Sequence, residues 1–567
     1  MPTQRGALVG IGLLCAGLTG GVDRLAYGQA APLPRGELPG AVEPGRDRPA
    51  LETPTQPPFD FTIEAPTRSQ IPRAVEELRF TLTNIQIEGA KTLPPESFRP
   101  LYQNLLGQEV SVSNILDVAD AIEDAYRDQG YVLTHAYVPP QRVRNGVFTI
   151  DVVEGYVASV TVEGGDPRTQ ALVRSYVEPV INVRPLALAA MERALLLAND
   201  IPGVTAAGVL RPAPNTPGAS DLVVTITETK VSGGLSVDNR GSRFQDVWTL
   251  GGDVAVNGVA LAGDQLAASY ATSPNVLEKT SGQVRYRAPV GTNGTTATMI
   301  VTVTHGEPGG SLKPFQLVTD SLAIGPRVSY PLIRTRAESL LLDGGITVQE
   351  ANVDTLGAQF SHDEWRVADL GVTYSRLALG GTWSASFDGA EGFGIFGASQ
   401  DGSPNLSHPG ADPEFTKFTA SFRHVRTLIG PLSLAISGQG QYAFAPLVAG
   451  EQITFGGSGI GRGYDPGAVT GDQGVGGSAE LRWDAHFPKV YLETVEPYVY
   501  YDTGKVWNFK PNQGGGQSVA SAGFGLRFYF PHAITTDFEV SRTLRAVPGS
   551  DNGQKSTKLL MDASIRF

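Results

Sequence analysis

Cysteine is almost missing from this chain: the single Cys15 lies inside the apolar run 7–19, so a polypeptide processed beyond that run carries no thiol. Disulfide frameworks, Cys-based zinc sites and thiol nucleophiles are then unavailable. Long uncharged apolar runs are missing too. Beyond Ala30 the best candidate, 186–199, is interrupted by Glu192 and Arg193 and falls short of a membrane helix. If the processed chain enters a membrane, it must do so as a closed β-barrel. Cations are the minority charge, 44 Lys plus Arg against 57 Asp plus Glu for a formal net of -13, which argues against a nucleic-acid partner. Catalytic signatures are equally scarce. His135, His305, His362, His408, His424, His486 and His532 are dispersed, and none stands at the His-x-x-x-His spacing that puts two zinc ligands on one helical face. Neither a Gly-x-Ser-x-Gly elbow nor a Gly-x-x-x-x-Gly-Lys-Ser/Thr phosphate loop occurs. The chain is read as a non-enzyme with no metal, cofactor or nucleotide.

What is present falls into distinct textures. Arg5, the apolar run and the small residues of 26–30 read as a signal peptide, 1–30, cleaved near Ala30. Leu14 stands before Cys15 where a lipoprotein signal needs a small residue, so Cys15 is not read as a lipid anchor. Residues 31–76 are Pro-rich, with few large apolar residues and no helical period, and are expected to be an extended or disordered linker. The length favours two to four domains. A first small unit, 77–155, reads as a strand over 79–89 and a helix over 95–106, with Phe98, Leu101 and Leu105 on one face. A second helix opens at Ser113, aligns Ile115, Val118, Ile122 and Tyr126 and ends at Gly130; strands over 131–138 and 147–154 follow. The second unit, 156–230, repeats that order with a strand over 157–164, helices over 168–177 and 185–198, and strands over 205–211 and 221–228. The repeat is one of pattern rather than residue identity.

From 231 to 567 helical spacing gives way to dyad alternation. Ala479, Leu481, Trp483, Ala485 and Phe487 alternate with Ser478, Glu480, Arg482, Asp484 and His486, and similar stripes run through Phe418, Ala420 and Phe422 and through Ala522, Phe524, Leu526, Phe528 and Phe530. One such strand suits a soluble sandwich or a membrane barrel equally. Repetition over a length that accommodates about sixteen strands of roughly ten residues favours a barrel, apolar faces to lipid and charges to a wet lumen. Glu480 and Asp484 are accordingly read as lumen-facing charges rather than a catalytic pair. Glycine is densest at 456–475, where a single Arg462 stands among turn-forming residues. Glycine lets the backbone fold back on itself there, and a lone cation at such a tip calls for a counter-charge. Asp502 is the candidate, the alternative being a surface turn beside an unrelated carboxylate.

Several of these segments resemble one family. Residues 130–141, from Gly130-Tyr131 through Ala136-Tyr137 to Pro139-Pro140-Gln141, resemble the Gly-Tyr-x-x-x-x-Ala-Tyr-x-Pro-Pro-Gln segment of POTRA domains in two-partner secretion transporters. Gly461-Arg462-Gly463-Tyr464 and Tyr501-Asp502-Thr503-Gly504 resemble the paired loop and strand signatures of the Omp85 superfamily, and a last strand ending on Phe567 resembles the assembly signal of outer-membrane barrels. Over 80–567 the chain resembles the TpsB-type transporters, the ShlB/FhaC/HecB haemolysin secretion/activation family. The resemblance implies a membrane all-β protein of the bacterial outer membrane, a transmembrane β-barrel of about 16 strands preceded by two periplasmic α+β POTRA domains. It implies a loop pinned in the lumen by Arg462 on Asp502, and client binding around Tyr131, His135, Tyr137, Pro139, Pro140 and Gln141 and on the helix of 186–197. The implied partners are a large TpsA-like exoprotein delivered unfolded to the periplasm, outer-membrane lipid, and the barrel-assembly machinery acting through Phe567. Transport is then driven by folding of the client outside the cell. An Omp85-type insertase and a passive porin remain as alternatives. Some family members carry an N-terminal helix that plugs the pore, and 31–76 spells no such helix.

Overall fold

The computed structural model describes Leu38, Gly40, Val42, residues 60–64, and residues 78–567 except 215, 409, 490, 510–515 and 549. The signal-peptide reading of 1–30 lies outside the described residues.

The first unit is organised by the helix Val112–Asp128. Its N-cap is Ser111 rather than Ser113: the Ser111 hydroxyl accepts from the Asn114 N–H at 3.4 Å, and the Asn114 side chain accepts from the Ser111 N–H at 3.1 Å. That reciprocal pairing satisfies two end donors and starts the helix earlier. Ile115, Val118, Ile122 and Tyr126 pack under a three-stranded sheet of Asn84–Glu88, Val147–Val153 and His135–Tyr137. The stretch read as one strand over 79–89 is two, because Arg79–Thr81 pairs with Glu109–Ser111 while Asn84–Glu88 pairs with Val147–Asp151. Leu82, fully buried, lies between them. The strand expected over 131–138 shrinks to His135–Tyr137. Residues 131–134 turn back on Tyr126, whose carbonyl accepts the Tyr131 N–H, and Pro139 and Pro140 have no N–H to extend the ladder.

The second unit has strands Tyr156–Glu163, Val204–Pro212 and Ala219–Glu228 and helices Pro167–Val177 and Leu188–Asn199 around a core that includes Val160, Val173, Leu195 and Val224. A fourth strand, Asp60–Ile63, joins this sheet in parallel beside Val204–Pro212. A four-residue strand set among prolines leaves no measurable period in the sequence. The unit is docked on the barrel. Arg334 grips the Asp200 carboxylate at 2.9 and 2.6 Å, Arg193 donates to the Pro331 carbonyl at 2.7 Å, and Arg336 pairs with Glu192 at 2.7 Å. The 186–197 helix expected to meet the client therefore turns Glu192 and Arg193 to the barrel turns.

Residues 231–566 form sixteen antiparallel strands closed on themselves, from Val231–Asp238 to Thr557–Arg566; the twelfth is broken at Asp484 into Gln473–Trp483 and Ala485–Lys489. Closure pairs every strand and removes the open edges that lipid does not tolerate. Strand lengths are uneven, 8 residues in the first and 21 in Ala358–Ala378, where about ten was expected throughout. The long strands rise to meet loops stacked over the outer mouth, where Trp365 packs with Leu406, Phe415 and Leu447. The seam is short. First and last strands share five register pairs, Gly234 with Arg566 through Asp238 with Asp562, extended by reciprocal 3.0 Å bonds between Gly233 and Phe567. Alternation sorts the faces as the sequence suggested: Val499, Tyr501, Phe524 and Leu559 are exposed outward, whereas Glu480, Asp502 and Glu539 are buried inward.

Candidate functional site

Between the strands Leu432–Ala443 and Gln473–Trp483 the chain folds into the lumen. The root of this loop is fixed by buried charge. Glu451 accepts from the Trp365 indole at 2.6 Å and pairs with Lys417 at 2.9 Å, and Asp472 accepts from the Leu447 N–H at 2.9 Å and the Gln452 amide at 3.1 Å. A small hairpin, Ile453–Phe455 with Val469–Gly471, carries the chain inward, and Phe455, Ile460, Tyr464 and Val469 pack on Val506 and Val519 of the wall. At the turn Gly456 has φ +120 and Gly461 φ +92, a region that side chains avoid.

That turn delivers Arg462 to two wall strands. Its Nε and Nη2 donate to both oxygens of Asp502 at 3.0 and 3.1 Å, its backbone N–H to the same carboxylate at 3.2 Å, and its Nη1 to Glu480 at 2.5 Å. The guanidinium carbon lies 3.4 Å over the centre of the Tyr500 ring. Arg462 is 8% exposed and Asp502 0%, so water screens the cluster little and each charge depends on its partners. Around it the wall is cross-tied. Arg527 donates to Glu480 at 2.9 Å, Glu496 at 2.6 Å and Asp537 at 3.1 Å; the Tyr498 and Tyr500 hydroxyls reach Glu539 at 3.0 and 2.6 Å; and Arg240, after the first strand, reaches Glu539 at 3.3 Å. A chain of alternating charges thus runs from the loop tip to the seam. The loop makes two further ties: the Tyr464 hydroxyl donates to the Ala520 carbonyl at 2.8 Å, and Asp465 pairs with Lys558 of the last strand at 2.5 Å.

The structure brings Gly461, Arg462, Gly463 and Tyr464 together against the wall with Asp502. Glu480, read from sequence only as a lumen charge, is the second carboxylate on Arg462. Its identity follows from register, Ser478 opposite Asp502 and Glu480 opposite Tyr500, which sequence does not display. In the first unit, Gln141 is engaged internally: its amide donates to the Thr149 carbonyl at 2.7 Å and accepts from the Thr149 N–H at 2.8 Å, as a strand neighbour would. Tyr131 packs edge-on against Tyr126. Tyr137 is exposed, and His135 stands 3.4 Å from Glu123. Beyond them, burial pushes the Glu154 carboxyl up, but the Thr92 and Lys91 N–H groups and the Tyr126 hydroxyl outweigh it and hold the group below the usual carboxylate range. Phe567 ends the last strand with its ring over Gly233, where a Cβ atom would come within 3.0 Å of it. Among the described residues no group of His, Cys, Asp and Glu is arranged to hold a metal ion.

Known proteins share this plan. The Heme/hemopexin transporter protein HuxB of Haemophilus influenzae strain 86-028NP is 25% identical over 490 residues, covering 83% of this chain and 84% of its own. The outer membrane transporter CdiB of Dickeya dadantii is 23% identical over 475 residues, 82% of each chain. The structure of CdiB from Escherichia coli superposes with a TM-score of 0.70 at 20% identity, covering 88% of this chain and 93% of that one. Residues 80–155 match the ShlB-type POTRA domain and 218–528 the family described as haemolysin secretion/activation protein ShlB/FhaC/HecB. With more than half its length matched, this outer-membrane barrel belongs to the ShlB/FhaC/HecB haemolysin secretion/activation family.

Proposed function

We propose that the chain receives an unfolded exported polypeptide on its periplasmic units and passes it through the barrel to the cell surface, as the membrane half of a two-partner secretion pair. The observation that carries this reading is the lumen loop. It is rooted by Glu451 and Asp472 and pinned at its tip by Arg462, so the conduit can be cleared by releasing one tip while the wall stays folded. In this reading Arg462 with Asp502 and Glu480 holds the loop in the arrangement that transport requires before the tip is released, so losing the pair impairs transport rather than freeing it. Tyr137 and His135, with Tyr131, Pro139, Pro140 and Gln141 shaping their setting, form a client-facing surface. The outward apolar stripes meet outer-membrane lipid, and the last strand with Phe567 is what the barrel-assembly machinery recognises. The corresponding division is 1–30 signal peptide, 31–76 linker, 77–155 and 156–230 POTRA domains, and 231–567 barrel. Family members are transporters that act with secreted partners.

The test is a strain lacking this protein. A large polypeptide should vanish from the medium and return on complementation. Unchanged secretion, or a general loss of outer-membrane proteins on depletion, contradicts the proposal.

A further inference from the structure

The four residues before His135 serve two cores at once. Tyr131 packs on the core of the first unit, with Tyr126 and Ala136. Val132 packs on the core of the second unit, and Leu133, 6% exposed, is a member of it with Val157, Leu186 and Met191. Residues 131–134 leave the sheet of their own unit because the chain steps across to the neighbour and returns at His135.

The crossing is built from close backbone contacts. The Gly130 carbonyl accepts from the Leu188 N–H at 2.9 Å, at the start of the helix Leu188–Asn199. Gly155, at the junction of the two units, lies flat on the step: a Cβ atom there would clash with the carbonyl and the Cβ of Leu133. Its own carbonyl accepts from the Leu186 N–H at 3.0 Å, and the Arg184 guanidinium carbon lies 3.4 Å over the Tyr156 ring. On the other flank a Cβ atom on Gly218 of the second unit would clash with Val153 of the first. The joint has no slack.

The same core reaches the barrel. A Cβ atom on Gly263, in the turn 258–264, would lie 2.6 Å from Leu172 and 2.9 Å from Ile201; one on Gly294, in the turn 291–294, would lie 2.5 Å from Leu197. Leu172, Leu197 and Ile201 belong to the core that takes Leu133 or pack against it. Apolar packing is thus continuous from the first unit through the second to the barrel turns, and interiors packed in this way transmit displacement rather than absorb it.

We propose that Leu133 is a positioning residue for export: it locks the first unit onto the second and so holds the exposed Tyr137 at one place and angle relative to the barrel entrance. The proposal rests on the export function given above. A segment of the client caught on the first unit is then presented to the lumen from a fixed point. A joint that swings would spread that segment over many positions and lower its effective concentration at the entrance.

The test uses the full chain, whose one native cysteine is Cys15. Spin labels on Gln86→Cys in the first unit and Thr205→Cys in the second, both exposed positions, report the distance between the units in detergent. Leu133→Ala should broaden the distance distribution at least twofold and lower export at least fivefold. Leu133→Met, which keeps the volume, should leave both near the parent values. Val153→Cys with Gly218→Cys places two Cβ atoms 3.8 Å apart across the joint, a disulfide spacing. Added to Leu133→Ala, this pair should restore export to within twofold of the parent when oxidised and lose it on reduction, which a purely structural defect in the core would not do. An unchanged distance distribution in Leu133→Ala, export at the parent level despite a broadened one, or no rescue by the disulfide overturns the proposal. Should the unaltered parent export nothing, the export reading fails, and the distances still decide whether Leu133 locks the joint.

Discussion

Arg462 stood out in the sequence because it is one cation in a run of glycines, and Asp502 because it follows the aromatic run Tyr498, Tyr500, Tyr501 and precedes Thr503-Gly504. Their approach was legible for that reason. The share taken by Glu480 was not, since it depends on how the strands are registered. With two carboxylates and a ring engaged by one guanidinium, Arg462→Ala leaves buried anions unpaired and should weaken the folded loop by about 3–5 kcal/mol. Arg462→Lys should rescue little, because a single ammonium does not reproduce the forked donor set. The Arg462→Ala, Asp502→Ala double variant should be less destabilised than Arg462→Ala alone, as thermal unfolding in detergent will report. Equal loss in all three would mean that the charges do not depend on one another. In the periplasmic unit the depressed Glu154 carboxyl gives a pH dependence of definite sign. Its contribution is complete above the ordinary carboxylate pKa and is lost as pH falls through the lower folded value. Hydrogen-exchange protection of the Lys91 and Thr92 amides should therefore fail in acid, and in Glu154→Gln it should be weaker already at neutral pH.

At the scale of elements, alternation revealed the strands and which face meets lipid, because the side-chain period of two survives any strand length. It concealed the lengths and the loops' packing, which are set by contacts between distant segments such as Trp365 with Leu447. The Asp60–Ile63 strand was hidden by its brevity, and the helix start was misplaced by two residues because Ser111 and Ser113 are both plausible caps. Aromatic residues facing the lumen also place a demand on their neighbours. A Cβ on Gly523 would lie 2.6 Å from the Tyr500 ring, so Gly523→Ala should displace the ring that supports Arg462 and cost about 1–3 kcal/mol. Unchanged unfolding of that variant would show the ring to be free to move. Replacing residues 456–468 by a short glycine linker removes the hairpin's inward half. Single-channel conductance should rise several-fold, and an unchanged value would mean that the loop does not limit the pore.

For the molecule as a whole, the second periplasmic unit is held to turns at the barrel rim by Arg334, Arg193 and Arg336, so whatever binds there is kept next to the barrel. The lumen charges run from the loop tip through Glu480, Arg527 and Asp537 to Arg240 at the short seam. The proposed recognition surface, the loop tip and the wall closure are thereby linked, and sequence alone showed these parts without their connections. The central claim is that this barrel conducts an unfolded polypeptide past a loop that opens at Arg462. Its most direct measurement is delivery of the unfolded partner polypeptide, presented on the periplasmic side without nucleotide, into the interior of liposomes carrying the purified protein. Protease-protected polypeptide should accumulate inside with the parent protein and fall at least tenfold with Arg462→Ala. Absence of any protected polypeptide with the parent protein, or equal amounts with both, contradicts the account.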